Sequence, residues 1–104
     1  MSDLIITNHA ADRFHERMGL PKRVVTRNAA RALELGITHA DTSGQLRKYL
    51  DKLYLAQESA NNIRVYGNTV YIFYFDTLIT LFALPRNLQK QAAKTQQRKR
   101  RQQT

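Results

Sequence analysis

Apolar positions repeat with a helical period through the first half of the chain and with a strand-like period through much of the second. Leu4-Ile5-Ile6 is a short apolar lead-in. Behind it, Ala10, Ala11, Phe14 and Met18 share one helical face; Thr7 or Asn8 can cap the start, and Gly19 offers a left-handed stop. Pro21 suits the first turn of a second helix, because its missing N–H costs nothing there. That helix runs to about Leu35 and stops at Gly36, with Val25, Ala29, Ala32 and Leu33 facing inward. Residues 37–43 read as a loop. Leu46, Tyr49, Leu50, Leu53 and Tyr54 then form the apolar stripe of a third helix over 43–57, capped by Ser43 or Thr42.

After Ser59-Ala60-Asn61-Asn62 the period changes. Ile63–Tyr66, Thr69–Tyr74 and Leu78–Leu84 are rich in β-branched and aromatic residues and read as strands. Gly67-Asn68 is a tight hairpin signal, and Asp76-Thr77 a weaker one, so the strands form an antiparallel meander. A fourth strand has one source, Leu4–Thr7. The expected fold is α+β: three N-terminal helices, then a three-stranded antiparallel meander with room for that fourth strand, the helices packed on one face and the other face partly open. Residues 1–85 make one domain. Residues 86–104 make a basic tail, helical over Asn87–Lys94 at most and disordered over its last ten residues, which carry no apolar side chain.

Charge sharpens this division. The chain has 104 residues and a formal net charge of +9. Seven cations and no acid lie from Arg86 onward, while residues 1–85 hold ten Lys/Arg against eight Asp/Glu. Such a tail is a candidate contact for nucleic acid or another anionic surface. There is no cysteine, which excludes disulfides, thiolate metal sites and a cysteine nucleophile. The N-terminus lacks the pattern of a signal peptide, and no run approaches the roughly 20 apolar residues that span a bilayer. A cytoplasmic protein with no membrane partner is expected.

The first helix carries the candidate chemistry. His9, Arg13 and Arg17 recur every four residues and line one stripe. Two guanidiniums can grip a phosphate in bidentate fashion, and an imidazole beside them can serve as acid or base. The plainer alternative is an exposed face whose charges pair locally, for example Arg13 with Glu16. His15 points to the edge of the apolar face and reads as structural; His39 lies in a loop where no spacing places it. Arg23, Arg27 and Arg31 form a second basic stripe. Arg64 and Tyr66 alternate against Ile63 and Val65 and so face the less buried side of the sheet. Tyr71 and Phe73 share a strand face, as core residues or as base-stacking platforms. Thr80, sharing a face with Leu78, Phe82 and Leu84, is either a β-branched filler or a hydroxyl that donates to phosphate. With Arg98, Lys99, Arg100 and Arg101 of the tail, these give a candidate nucleic-acid set of Arg23, Arg27, Arg31, Arg64, Tyr66 and the four tail cations. No His/Asp/Glu set has metal-ligand spacing, and neither a metal nor a cofactor is expected.

His9-Ala10 with Arg13 and Arg17, a second helix, and a terminal strand reading Ile79-Thr80-Leu81 resemble the phage-associated branch of the barnase–EndoU–colicin–RelE-like (BECR) ribonuclease superfamily. The resemblance implies a small sheet with helices packed on it and an RNA groove. It also implies metal-free RNA cleavage, in which the 2′-hydroxyl attacks the adjacent phosphate to leave a cyclic phosphate and a free 5′-hydroxyl. His9 would be the acid/base, Arg13 and Arg17 the phosphate clamp and Thr80 an accessory donor. The long third helix departs from the superfamily's simpler layout. Three functions follow as expectations: a small metal-independent endoribonuclease, a non-catalytic nucleic-acid-binding accessory or regulatory protein, and an inhibitor or adaptor that binds an acidic protein partner.

Overall fold

A computed structural model describes residues 5–6, 19, 21–57 and 60–103. Strand β1 is Ile5–Ile6, helix α1 Lys22–Leu35, strand β2 Ile37–Thr38 and helix α2 Gly44–Ala56, with a 3-10 turn at His39–Asp41 between the last two. Strands β3 (Asn62–Tyr66), β4 (Thr69–Tyr74) and β5 (Thr77–Ala83) follow, and helix α3 covers Arg86–Gln103. The sheet order is β1-β5-β4-β3-β2, antiparallel from β5 to β2, with β1 added parallel to β5.

The helix limits follow the punctuation. Pro21 flanks α1 at its start and Gly36 at its end; Ser43 and Gln57 flank α2. Gly67 and Asn68 both have positive φ, 56° and 64°, as a type I′ turn requires. The second turn falls at Phe75-Asp76, one residue earlier than the sequence suggests, and holds Phe75 at φ 54°. A bulky residue there costs of order 1–3 kcal/mol. The Asn61 side chain helps hold the turn by accepting a 2.8 Å hydrogen bond from the Phe75 amide.

The order of three helices followed by a meander is overturned. Helices flank the meander on both sides in sequence, and the segment read as a tail is a helix through Gln103. Packing on one face is overturned as well. Val25, Ala29 and Ala32 of α1 bury against Tyr71, Phe73, Leu78 and Leu81. On the opposite face, Leu46 and Leu50 of α2 and Leu88 and Ala92 of α3 bury against Ile63, Val65, Val70 and Ile72. Alternation along β3 and β4 separates the two sets, because successive side chains leave a strand on opposite sides. The sheet is the middle of three layers and leaves neither face open. Two short strands extend it beyond the meander. β2 lies within the segment read as a loop, and Thr38 and Asp41 close its end with a capping box. The first of the expected helices, over 7–18, lies outside the described residues.

A bulge between Ile72 and Phe73 of β4 and their partners changes the parity of β5: Ile72 pairs with Thr80, but Phe73 pairs with Leu78. Thr80 thus shares a face with Phe82 and Leu84 as expected, whereas Leu78 joins the α1 side. Gly36 sits where α1 turns into β2. A Cβ there would lie 2.6 Å from the Ala32 carbonyl oxygen and 3.1 Å from that of Val65. Backbone on both sides leaves no flexible neighbour to yield. Gly36→Ala is expected to cost about 1–3 kcal/mol. Urea unfolding measures it, and an unchanged midpoint would mean that helix and strand can part at this point.

Candidate nucleic-acid interface

Helix α3 has only Leu88 and Ala92 as buried apolar anchors, both near its start. Polar contacts hold the rest. Gln91 Nε2 donates to the Ser43 carbonyl (2.8 Å) and Gln96 Nε2 to the Leu35 carbonyl (2.8 Å). Lys99 Nζ donates to the Gly36 carbonyl (3.0 Å) and pairs with Asp41 Oδ2 (2.8 Å). Carbonyls at the end of a helix lack intrahelical partners. The last turn of α1 carries no basic residue of its own. Gln96 and Lys99 meet that need from 61 and 63 residues away, and a cation is favoured at this negative end of the helix dipole.

Docking in this orientation turns the remaining cations outward. Arg86, Lys90, Lys94 and Arg98 are exposed and recur every fourth residue, so they stack along one ridge. The ridge is about 18 Å long at 1.5 Å per residue. Arg100 and Arg101 are exposed at its far end. None of the four ridge residues forms an ion pair with a described residue. Beside the ridge, a groove of about 360 Å³ lies between α3 and the Gly67-Asn68 turn, floored by Ile37, Val65 and Ala92 with Arg100 at its rim.

The structure does not bring the sequence-predicted residues together at one site. Arg98, Arg100 and Arg101 lie on α3 and are exposed. Lys99 is spent on the fold: its side chain is 16 % exposed and holds Gly36 and Asp41. Arg23, Arg27 and Arg31 are exposed on α1, on the other side of the sheet. Arg64 and Tyr66 belong to that side too, half-buried; Arg64 Nε donates to Asn62 Oδ1 (3.0 Å), and the Tyr66 ring packs on the α1 cluster. His9, Arg13 and Arg17 lie outside the described residues. Thr80 is 2 % exposed, and its hydroxyl has no hydrogen-bond partner among the described residues. Tyr71 and Phe73 are core residues, their rings stacked 6.5 Å apart. Burial pushes the Tyr71 phenol up to about 12, so it stays neutral at physiological pH.

Arg86, Lys90 and Lys94 belong to the basic segment read as a candidate contact but were not singled out within it. Their spacing was visible, but it becomes a ridge only if the helix is continuous. His39 was also missed. Its Nε2 pairs with Asp51 Oδ1 at 2.5 Å, and its ring meets Tyr54 edge-on at 5.5 Å, fastening the 3-10 turn to α2. No short-range spacing signals a pair twelve residues apart across a loop. No protein-family model, curated protein or solved structure matches the chain.

Burial of the Asp41 carboxyl opposes its ionisation, but hydrogen bonds from Lys99 and from Thr38 outweigh that, and its pKa falls below the ordinary 3.8. A lowered pKa means that the carboxylate favours the folded state above the ordinary value. That contribution is lost as the pH falls through the depressed one. Asp41→Asn is expected to lose about 1 kcal/mol at neutral pH, a modest figure because the pair is partly exposed. Denaturation at a series of pH values should show the gap between wild type and variant closing below the ordinary aspartate range. A gap independent of pH would remove Lys99–Asp41 as the cause.

Proposed function

We infer that this protein binds nucleic acid, RNA foremost, and that α3 is its contact surface. The observation that supports it is the ordered ridge of Arg86, Lys90, Lys94 and Arg98 on a helix with no acid. Clustered like charges oppose folding slightly, and these four have no acidic partner among the described residues to offset that. A phosphate backbone supplies the missing countercharge. At about 3.4 Å per phosphate along a strand, an 18 Å ridge faces roughly five phosphates.

Metal-independent RNA cleavage is a second reading, with His9 as acid/base and Arg13 and Arg17 as the phosphate clamp. One feature favours it: β1 ends at Ile6, paired with Leu78 of β5, the strand that carries Ile79-Thr80-Leu81. The chain leaves β1 beside that strand. Thr80 is enclosed, so in this reading it supports the strand and does not touch the phosphate.

Two measurements test these statements. Replacing Arg86, Lys90, Lys94 and Arg98 together by Gln should weaken RNA binding at least about tenfold at low salt and flatten the slope of log K against log salt by roughly 2–4. An unchanged slope would move the contact off α3. Separately, total RNA incubated with chelator should be cut by wild type to products with cyclic phosphate ends, and left whole by a folded His9→Ala variant. Intact RNA in both samples removes the catalytic reading and leaves the binding one standing.

A further inference from the structure

The outer surfaces of the first and third layers are both cationic, and they face away from one another. On α1, Arg23, Arg27 and Arg31 recur every fourth residue and are exposed. At 100° per residue the centre of their stripe stands roughly 170° around the helix from the centre of the buried Val25, Ala29 and Ala32. They therefore point away from the sheet. Lys22 and Arg23 occupy the first turn, where a cation is unfavourable for the helix dipole, and that turn has no acid. Glu34, one residue from the helix end, is the single acid on α1 against four cations. Arg23, Arg27 and Arg31 form no ion pair with a described residue. The α3 ridge lies across the sheet, beyond the layer that buries Leu88 and Ala92.

Away from the end of α1, where Gln96 and Lys99 reach it, three layers of roughly 10 Å put these two surfaces about 30 Å apart. A duplex, with a persistence length of about 150 base pairs, does not wrap a body of that size. A duplex seated on α3 thus leaves the α1 stripe unused. We propose that the protein bridges two duplex nucleic-acid segments, one on the α3 ridge and one on the Arg23/Arg27/Arg31 stripe. The proposal rests on the binding function given above and adds a second site and the form of the ligand. The α1 stripe is the shorter, about 12 Å from Arg23 to Arg31, so it is the weaker of the two and has the shallower salt dependence.

The test uses the full chain and two short duplexes, one with a donor dye and one with an acceptor, in RNA and DNA versions. Energy transfer should rise with protein, peak, and fall once protein is in excess and each duplex occupies its own molecule. The triple variant Arg23→Glu, Arg27→Glu, Arg31→Glu changes only exposed side chains; circular dichroism checks its fold. It should abolish energy transfer, while binding of a single labelled duplex at excess protein, carried by α3, falls less than in the Arg86/Lys90/Lys94/Arg98 variant. Energy transfer that survives in the triple variant would overturn the α1 site, since bridging would then run through α3 alone in an oligomer. Single-duplex affinity that falls in step with energy transfer would overturn the two-site geometry in favour of one duplex touching both helices. Single-duplex binding without energy transfer in the wild type would overturn bridging and leave the binding function intact. No binding by wild type at low salt would overturn that function itself. Comparing the RNA and DNA arms shows which duplex the sites accept.

Discussion

One ammonium group joins three parts of the molecule that are far apart in sequence. Lys99 reaches from the last helix to the Gly36 carbonyl, where α1 becomes β2, and to Asp41 in the turn that follows. Without it, the end of α1 would present carbonyls to a half-dry environment, and the second half of α3 would have little to hold it. The interaction also changes what the basic residues are. Free in a tail, seven cations are a diffuse charge; fixed on a docked helix, most of them become a surface with spacing and direction.

Burial on both sides of the sheet sets the other constraint. A sheet with one open face can offer its strands to a ligand, but here Tyr71 and Phe73 lie under α1, and Ile63 and Ile72 lie on the face shared with α2 and α3. The surface left for any contact is the outer face of the helices. The close approach at Gly36 and the bulge opposite Ile79 both serve this arrangement. The first lets α1 turn directly into an edge strand. The second sends Leu78 to one layer and Thr80 to the other, although only one residue separates them.

Local signals were legible wherever an element was long enough to show a period. α1, α2 and the meander followed apolar spacing, with Pro21, Gly36, Ser43 and Gly67-Asn68 marking their limits. β2 was not, because two residues have no period and the strand exists only through its pairing with Val65 and Arg64. The last two turns of α3 were not, because a search for apolar side chains finds none there; Gln96 and Lys99 hold them through side-chain bonds to distant carbonyls. Face assignment along β5 failed at the bulge, which strict alternation does not foresee. For the interface, the Arg23/Arg27/Arg31 stripe could be read from spacing alone. That it lies on the opposite side from Arg98 and Arg100 could not, since the separation is a property of layers. Nothing in the sequence distinguished Lys99, a fastener, from its three cationic neighbours.

The helix that closes the fold also carries the charge, and this ties solubility conditions to folding equilibrium. A polyanion that prefers the ordered ridge to the unfolded chain acts by mass action on the native state. It holds α3 in place and, through Lys99, keeps the end of α1 covered. On the proposed reading of α3, polyphosphate, heparin or a nucleic acid of any sequence would serve as a stabilising additive during purification, and high salt would remove that support.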